Sequence, residues 1–220
     1  MRIYFGIPTR GLINYRSDPS VIHQICELGL EWNPCLHWAH ERGENHCAPK
    51  NRLAQQSVDA GCDGLLLLDD DQELPAGALK RMIESEADVA VCPTLGQEGG
   101  EVSVKIIAGR IAFAATACAF IRTRVFTGLS GPWWRPDNRM TAFDPPPGIN
   151  LLTYNDAAGD GYFTARGQRS GFKIEILDLY SPHYGLKVMR GARDYTEYIP
   201  NEVRFPGPHE FLRWAPQSDR

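Results

Sequence analysis

Gly64-Leu65-Leu66-Leu67-Leu68-Asp69-Asp70-Asp71 is an unbroken apolar run that ends in three consecutive carboxylates. Four leucines without polar alternation predict a central strand buried on both faces of a parallel sheet. Ligands of open α/β sheets bind just outside the carboxyl ends of such strands, which is where the aspartates fall. Three adjacent carboxylates repel one another unless a cation or solvent relieves them. A hard divalent ion with oxygen ligands, Mg²⁺ or Mn²⁺, fits the cluster and can also bridge phosphate oxygens. A solvated acidic turn capping the next helix is the alternative.

Working outward, the pattern alternates. Ile3 to Ile7 reads as a first strand stopped by Pro8-Thr9-Arg10-Gly11, and Ser20 to Leu30 as a helix capped by Ser20 or Asp18. Residues 31–47 read as irregular. Ala48-Pro49 opens a helix to Ala60 with Gly61 as its stop, Pro75 to Glu86 is a third helix, and Asp88 to Cys92 a short strand. In the second half, Val102 to Ile107 and Arg110 to Ile121 read as strands joined at Ala108-Gly109. Residues 131–148 hold five prolines and read as an ordered loop. Gly161 to Ser170 reads as a short helix closed by Gly171, and Phe172 to Leu177 as a final strand. The expected fold is α/β, a single domain with a mostly parallel sheet, an antiparallel addition and helices on both faces.

The chain has 220 residues, enough for one such domain, with 43% apolar and 23% charged residues. Net charge is −4, which argues against a broad nucleic-acid surface. The start is not that of a signal peptide, and no apolar run is long enough to span a bilayer. The six cysteines form no tight framework. A cytoplasmic protein with free thiols is therefore expected. Cys35, His37, His40, His46 and Cys47 are dense enough to consider a zinc site, but their spacing fits no standard finger and ordinary loop residues are the plainer reading.

Taken in order, several stretches resemble the GT-A glycosyltransferases, especially the family-2-like branch. They are Gly6-Ile7-Pro8-Thr9-Arg10-Gly11, Lys50-Asn51-Arg52-Leu53-Ala54, Leu67-Leu68-Asp69-Asp70-Asp71 with Leu74-Pro75, Ala115 to Ile121, Gly159-Asp160-Gly161-Tyr162-Phe163, and Ser181-Pro182-His183. The resemblance spans roughly residues 3–185. It implies a GT-A domain over 1–185, with a nucleotide-sugar half at 1–95 and an acceptor half at 96–185, and leaves 186–220 as a tail or flap. It implies a metal-dependent hexosyltransferase that uses Mn²⁺ or Mg²⁺ and a nucleotide-sugar donor, a UDP-sugar ahead of a GDP-sugar.

By that resemblance Asp69 lies toward the ribose or a metal-bound water, Asp70 holds the middle position, and Asp71 ligates the ion with His183. Pro8, Thr9 and Arg10 hold the nucleoside. Lys50, Asn51 and Arg52 open a helix where positive charge opposes the macrodipole, which makes sense beside an anionic diphosphate; Arg52 is the favoured phosphate contact. Asp160 matches the position that accepts the acceptor's proton in inverting members. The family more often has Glu-Asp where this chain has Gly159-Asp160, so Asp156 competes for the role. A helix N-cap is the alternative for Asp160. Trp133 and Trp134 are assigned to the acceptor side because indole faces suit sugar rings; a buried structural pair is the alternative. The acceptor is open among glycan, protein, lipid head group and modified DNA base. A non-catalytic nucleotide- or carbohydrate-binding module is a rival, as is a nucleotidyl- or phosphoryl-transfer enzyme, although no glycine-rich phosphate loop follows the first strand.

Overall fold

The structure, a computed structural model, describes residues 1–9, 17–29, 36–42, 46–94, 103–136, 140–144, 147–148, 158–183, 186–187 and 196–197. Strand β1, Ile3–Thr9, and β3, Gly64–Leu68, run side by side and are buried along their whole length. The main sheet has six strands in the order β2-β1-β3-β7-β4-β8, with β2 at Leu36–Arg42, β4 at Val89–Val91, β7 at Cys118–Arg122 and β8 at Ile174–Ile176. The pairings β1 with β2, β1 with β3 and β4 with β8 are parallel. β7 pairs antiparallel with both β3 and β4, so it alone points the other way.

Strand side chains alternate between faces, and the leucine run of β3 feeds both. Leu65 and Leu67 pack with Leu53 and Ala54 of α2, Cys47–Asp59. Leu66 and Leu68 pack with Val21 and Ile25 of α1, Ser17–Glu27, and with Leu79 and Met82 of α3, Ala78–Glu84. This two-sided burial is why the run carries no polar residue. The α/β class, the mostly parallel sheet and the helices on both faces are as expected.

Several boundaries differ. β2 occupies a stretch expected to be irregular. It is an edge strand, and an edge strand need not show an apolar run, so its polar residues hid it. β1 runs on through Pro8; pairing with β3 ends at Gly6 and only β2 continues alongside. α1 begins at Ser17, so Ser20 is inside the helix, where its hydroxyl donates to the Ser17 carbonyl.

The segment read as one long strand to Ile121 is two. β5, Val104–Ile107, and β6, Arg110–Ala114, form a separate hairpin through Ala108 and Gly109, both at positive φ as a tight turn demands. After β6 the chain breaks at residues 115–117 and re-enters the main sheet as β7. A helix not expected, α4 at Thr123–Gly128, follows. α5, Ala158–Arg169, starts earlier than expected and takes Asp160 into its first turn. Beyond residue 185 the described residues are β9, Leu186–Lys187, and β10, Thr196–Glu197, paired antiparallel. Among the described residues no helix is long and apolar enough to cross a membrane.

Candidate active site at the exit of the central strand

The chain leaves β3 at the fully buried Leu68, and Asp69, Asp70 and Asp71 follow as half-buried residues of a turn. Backbone bonds define that turn: Asp69 N–H donates to the Ala117 carbonyl at 2.7 Å and Gln72 N–H to the Asp69 carbonyl at 3.1 Å. Two serines pin it. Ser17 Oγ donates to the Gln72 carbonyl at 2.6 Å, and Ser181 Oγ lies 2.9 Å from Gln72 Oε1 and 2.8 Å from the Glu73 carbonyl. A β-bridge between Gln72 and His183 completes the attachment. The segment after β8 is thereby fastened across the strand exit, and His183 Nε2 comes to 2.9 Å from Asp71 Oδ2. That hydrogen bond raises the His183 pKa against the opposing effect of burial, helped by the charges of Asp71, Asp69 and Asp70.

Asp69 faces the other way. Its Oδ1 is 3.6 Å from Lys50 Nζ, accepts no hydrogen bond, and is shut off from solvent. Burial pushes the Asp69 carboxyl up to about 7; the Lys50 charge works against this, and Asp160, Asp71 and Asp70 add to it. A carboxylate perturbed by desolvation and like charge at a strand exit is a candidate functional group. Lys50 itself is only 2% exposed. Burial pulls its pKa down, but Asp160 and Asp69 outweigh this and hold it above the ordinary lysine value.

Lys50 joins Asp69 to a second acidic centre. Its Nζ lies 3.3 Å from Asp160 Oδ1 and 3.3 Å from Thr116 Oγ1. Asp160 Oδ1 also accepts from the Thr116 hydroxyl and from Trp134 Nε1 at 3.1 Å. Among the described residues Asp160 Oδ2 has only Lys50, at 3.5 Å. One oxygen is therefore fixed and the other is lightly held, on a side chain 15% exposed. The N-cap alternative for Asp160 is excluded by its place inside the first turn of α5, where negative charge suits the helix dipole. Thr116 is 1% exposed and reaches the network because residues 115–117 leave the hairpin and enter β7 at that point.

The structure thus brings Asp69, Asp71, His183 and Asp160 to one end of the sheet. It puts Lys50 there in place of the favoured Arg52, adds Thr116, and corrects other assignments. Trp133 and Trp134 are core residues, not acceptor platforms. Trp134 is 1% exposed and stacks on Phe163 at 4.5 Å, while Trp133 Nε1 donates to the Phe126 and Leu129 carbonyls. Faces already covered by side chains cannot take a sugar ring. Asn51 is similarly committed: its Nδ2 donates to the Cys47 and Trp134 carbonyls, and its Oδ1 accepts from the N–H groups of Trp133 and Trp134. It clamps the tryptophan loop to α2. Arg52 is exposed on α2, and it is Lys50 that turns inward.

The inward face of α2 is readable after the fact. Cys47, Lys50, Ala54 and Ser57 recur at helical spacing and are all buried, so Lys50 lies on the core stripe. Pro8 and Thr9 end β1 as buried residues; Arg10 and Asp156 lie outside the described residues. Gly159 also has a cause: a Cβ there would stand 2.4 Å from Cys47 Sγ, so α5 can approach α2 only without a side chain at this position. As for zinc, Cys35 lies outside the described residues, His40 is exposed, and Cys47 is buried against Gly159.

Among the described residues no group of three His, Cys, Asp or Glu side chains is gathered to hold a metal unaided. Asp71 with His183 is a two-ligand set; the neighbouring Asp69 has an oxygen without a hydrogen-bond partner, turned toward Lys50. That donor set fits a divalent ion that keeps waters and takes its remaining ligands from substrate phosphates.

No family model matches the chain, and no curated protein matches it. Among solved structures, the crystal structure of A197 from STIV is similar with a TM-score of 0.53 and 13% identity, over 80% of this chain and 82% of that one. A protein from Desulfovibrio desulfuricans G20 named for nucleotide-diphospho-sugar transfer gives a TM-score of 0.41 at 14% identity, over 83% of this chain and 82% of that one. 4-Diphosphocytidyl-2C-methyl-D-erythritol synthase gives 0.40 at 11%, over 80% and 89%. The likeness to A197 is one of fold.

Proposed function

We propose that the chain is a glycosyltransferase of the GT-A type that binds a nucleotide-diphosphate sugar, a UDP-sugar foremost, with Mn²⁺ or Mg²⁺ at the exit of β3. The observation that carries this reading is the convergence of Asp71 with His183 beside Asp69, whose buried oxygen has no hydrogen-bond donor. Asp71 and His183 would hold the cation, with Asp69 beside them. A cation held there would supply positive charge to the diphosphate as a leaving group. Pro8 and Thr9 at the end of β1, with Arg10 next in sequence, would hold the nucleoside.

In the transfer, the acceptor oxygen forms a bond to the anomeric carbon as the bond from that carbon to the phosphate oxygen breaks, and the nucleoside diphosphate leaves. For an inverting outcome Asp160 receives the acceptor's proton. Its Oδ1 is immobilised by Thr116 and Trp134, which leaves Oδ2 as the atom that can face an acceptor. Positioning of that kind is what a general base requires. A retaining outcome would not need it.

A thermal-shift panel of nucleoside diphosphates and their sugars, with and without Mn²⁺, tests the proposal. A ligand at about 100 times its Kd adds roughly 2.7 kcal/mol to folding stability, so a true donor raises Tm in a metal-dependent way. No metal-dependent shift with any UDP, GDP, ADP, CDP or TDP compound overturns it. Release of pyrophosphate instead of a nucleoside diphosphate would move the assignment to nucleotidyl transfer.

A further inference from the structure

We infer that Lys50 is a positioning residue that couples the two acidic centres: its ammonium is the resident counter-charge of Asp69 in the metal-free protein, and it passes to Asp160 alone when a divalent cation takes Asp69 over. The inference rests on the cation site proposed above and adds to it a function for a side chain that touches neither metal nor acceptor.

The geometry supplies the argument. One ammonium, 2% exposed, stands 3.6 Å from Asp69 and 3.3 Å from Asp160. The ammonium itself is sealed from water, so the two carboxylates beside it divide one positive charge. Asp69 has the poorer share: its Oδ1 sits within ion-pair range of Lys50 without a hydrogen bond. Asp160 has the better one, and Thr116 and Trp134 hold its Oδ1 independently of Lys50. Withdrawing Asp69 from the pair therefore shifts charge without moving Asp160. Cys47 is the remaining ionisable neighbour of Lys50. A cation arriving at the Asp69–Asp71 turn competes with the ammonium for Asp69, and by linkage whatever alters the claim of Lys50 alters the affinity for that cation.

The test is Mn²⁺ binding alone, followed by loss of the free-ion electron paramagnetic resonance signal, in wild type, Lys50→Met, Asp160→Asn and the double variant. Lys50→Met removes the competitor and is expected to bind Mn²⁺ about fivefold more tightly or better, while transfer activity falls. Asp160→Asn leaves Lys50 wholly to Asp69 and is expected to weaken Mn²⁺ by a similar factor. That weakening shrinks in the double variant, whereas a plain through-space loss of charge would be the same in both backgrounds. A lysine with only a structural role leaves Mn²⁺ affinity unmoved, and that result overturns the inference. Asp160→Asn keeps the shape of the site, so if Lys50→Met does not fold, unchanged Mn²⁺ affinity in Asp160→Asn overturns it alone. Wild type that binds no Mn²⁺ with or without UDP sinks the cation site together with this coupling; binding that the variants do not alter sinks the coupling only.

Discussion

Asp69 is held in a place that disfavours its charge. Burial and neighbouring carboxylates raise its folded-state value to about 7, well above an ordinary aspartate. Between that ordinary value and 7 the folded protein binds more protons than the unfolded chain, so this group lowers stability as pH rises through the window. In chelator-treated protein, Asp69→Asn is expected to stabilise relative to wild type at pH 8, by on the order of 1 kcal/mol or more, with little difference at pH 4. Urea titrations at the two pH values check this; an equal effect at both would contradict it. His183 belongs to the same scale. His183→Ala should weaken Mn²⁺ binding by about tenfold or more, read by calorimetry, while the fold's Tm without metal changes little. The aspartate cluster was legible from residue type and position, whereas His183 is nominated only by the resemblance. Lys50 is named with Asn51 and Arg52 but passed over for Arg52, and only the stripe of Cys47, Ala54 and Ser57 around it betrays its burial.

At the scale of elements, the site depends on how closely α5 meets α2. Gly159 is the contact point: a Cβ there would stand 2.4 Å from Cys47 Sγ, so a side chain at this position would force the thiol or the helices to shift. Gly159→Ala is expected to destabilise by about 1–3 kcal/mol through overpacking. Cys47→Ala should recover much of that in the double variant, a coupling that a urea double-mutant cycle measures directly. Additive effects would show that the seam is not tight. The tryptophan loop is the other contact. Trp134→Phe retains the stack on Phe163 but removes the indole N–H from Thr116 and Asp160, so activity should fall by a larger factor than stability alone explains. The central strand announced itself because both its faces are covered. β2 did not, since an edge strand with one partner carries His, Glu and Arg, and the break between β6 and β7 was invisible because Ala115-Thr116-Ala117 is as strand-like in composition as its flanks.

For the molecule as a whole, one antiparallel strand in an otherwise parallel sheet brings distant chain segments to one end. β7 enters beside the exit of β3, which sets Thr116 against Asp160 and the Ala117 carbonyl against Asp69. The segment after β8 returns to the same end and delivers His183. Sequence order alone cannot show this meeting of residues 50, 69, 116, 160 and 183, although periodicity gave the α/β class. The proposed function stands or falls with a cation held by Asp71 and His183, beside Asp69, that would in turn hold a diphosphate. A crystal soaked with Mn²⁺ and UDP tests it by anomalous scattering at the manganese edge. A peak within coordinating reach of Asp71 and His183 Nε2, next to the diphosphate, is expected; an intact Asp71–His183 hydrogen bond with no peak beside it overturns the proposed site.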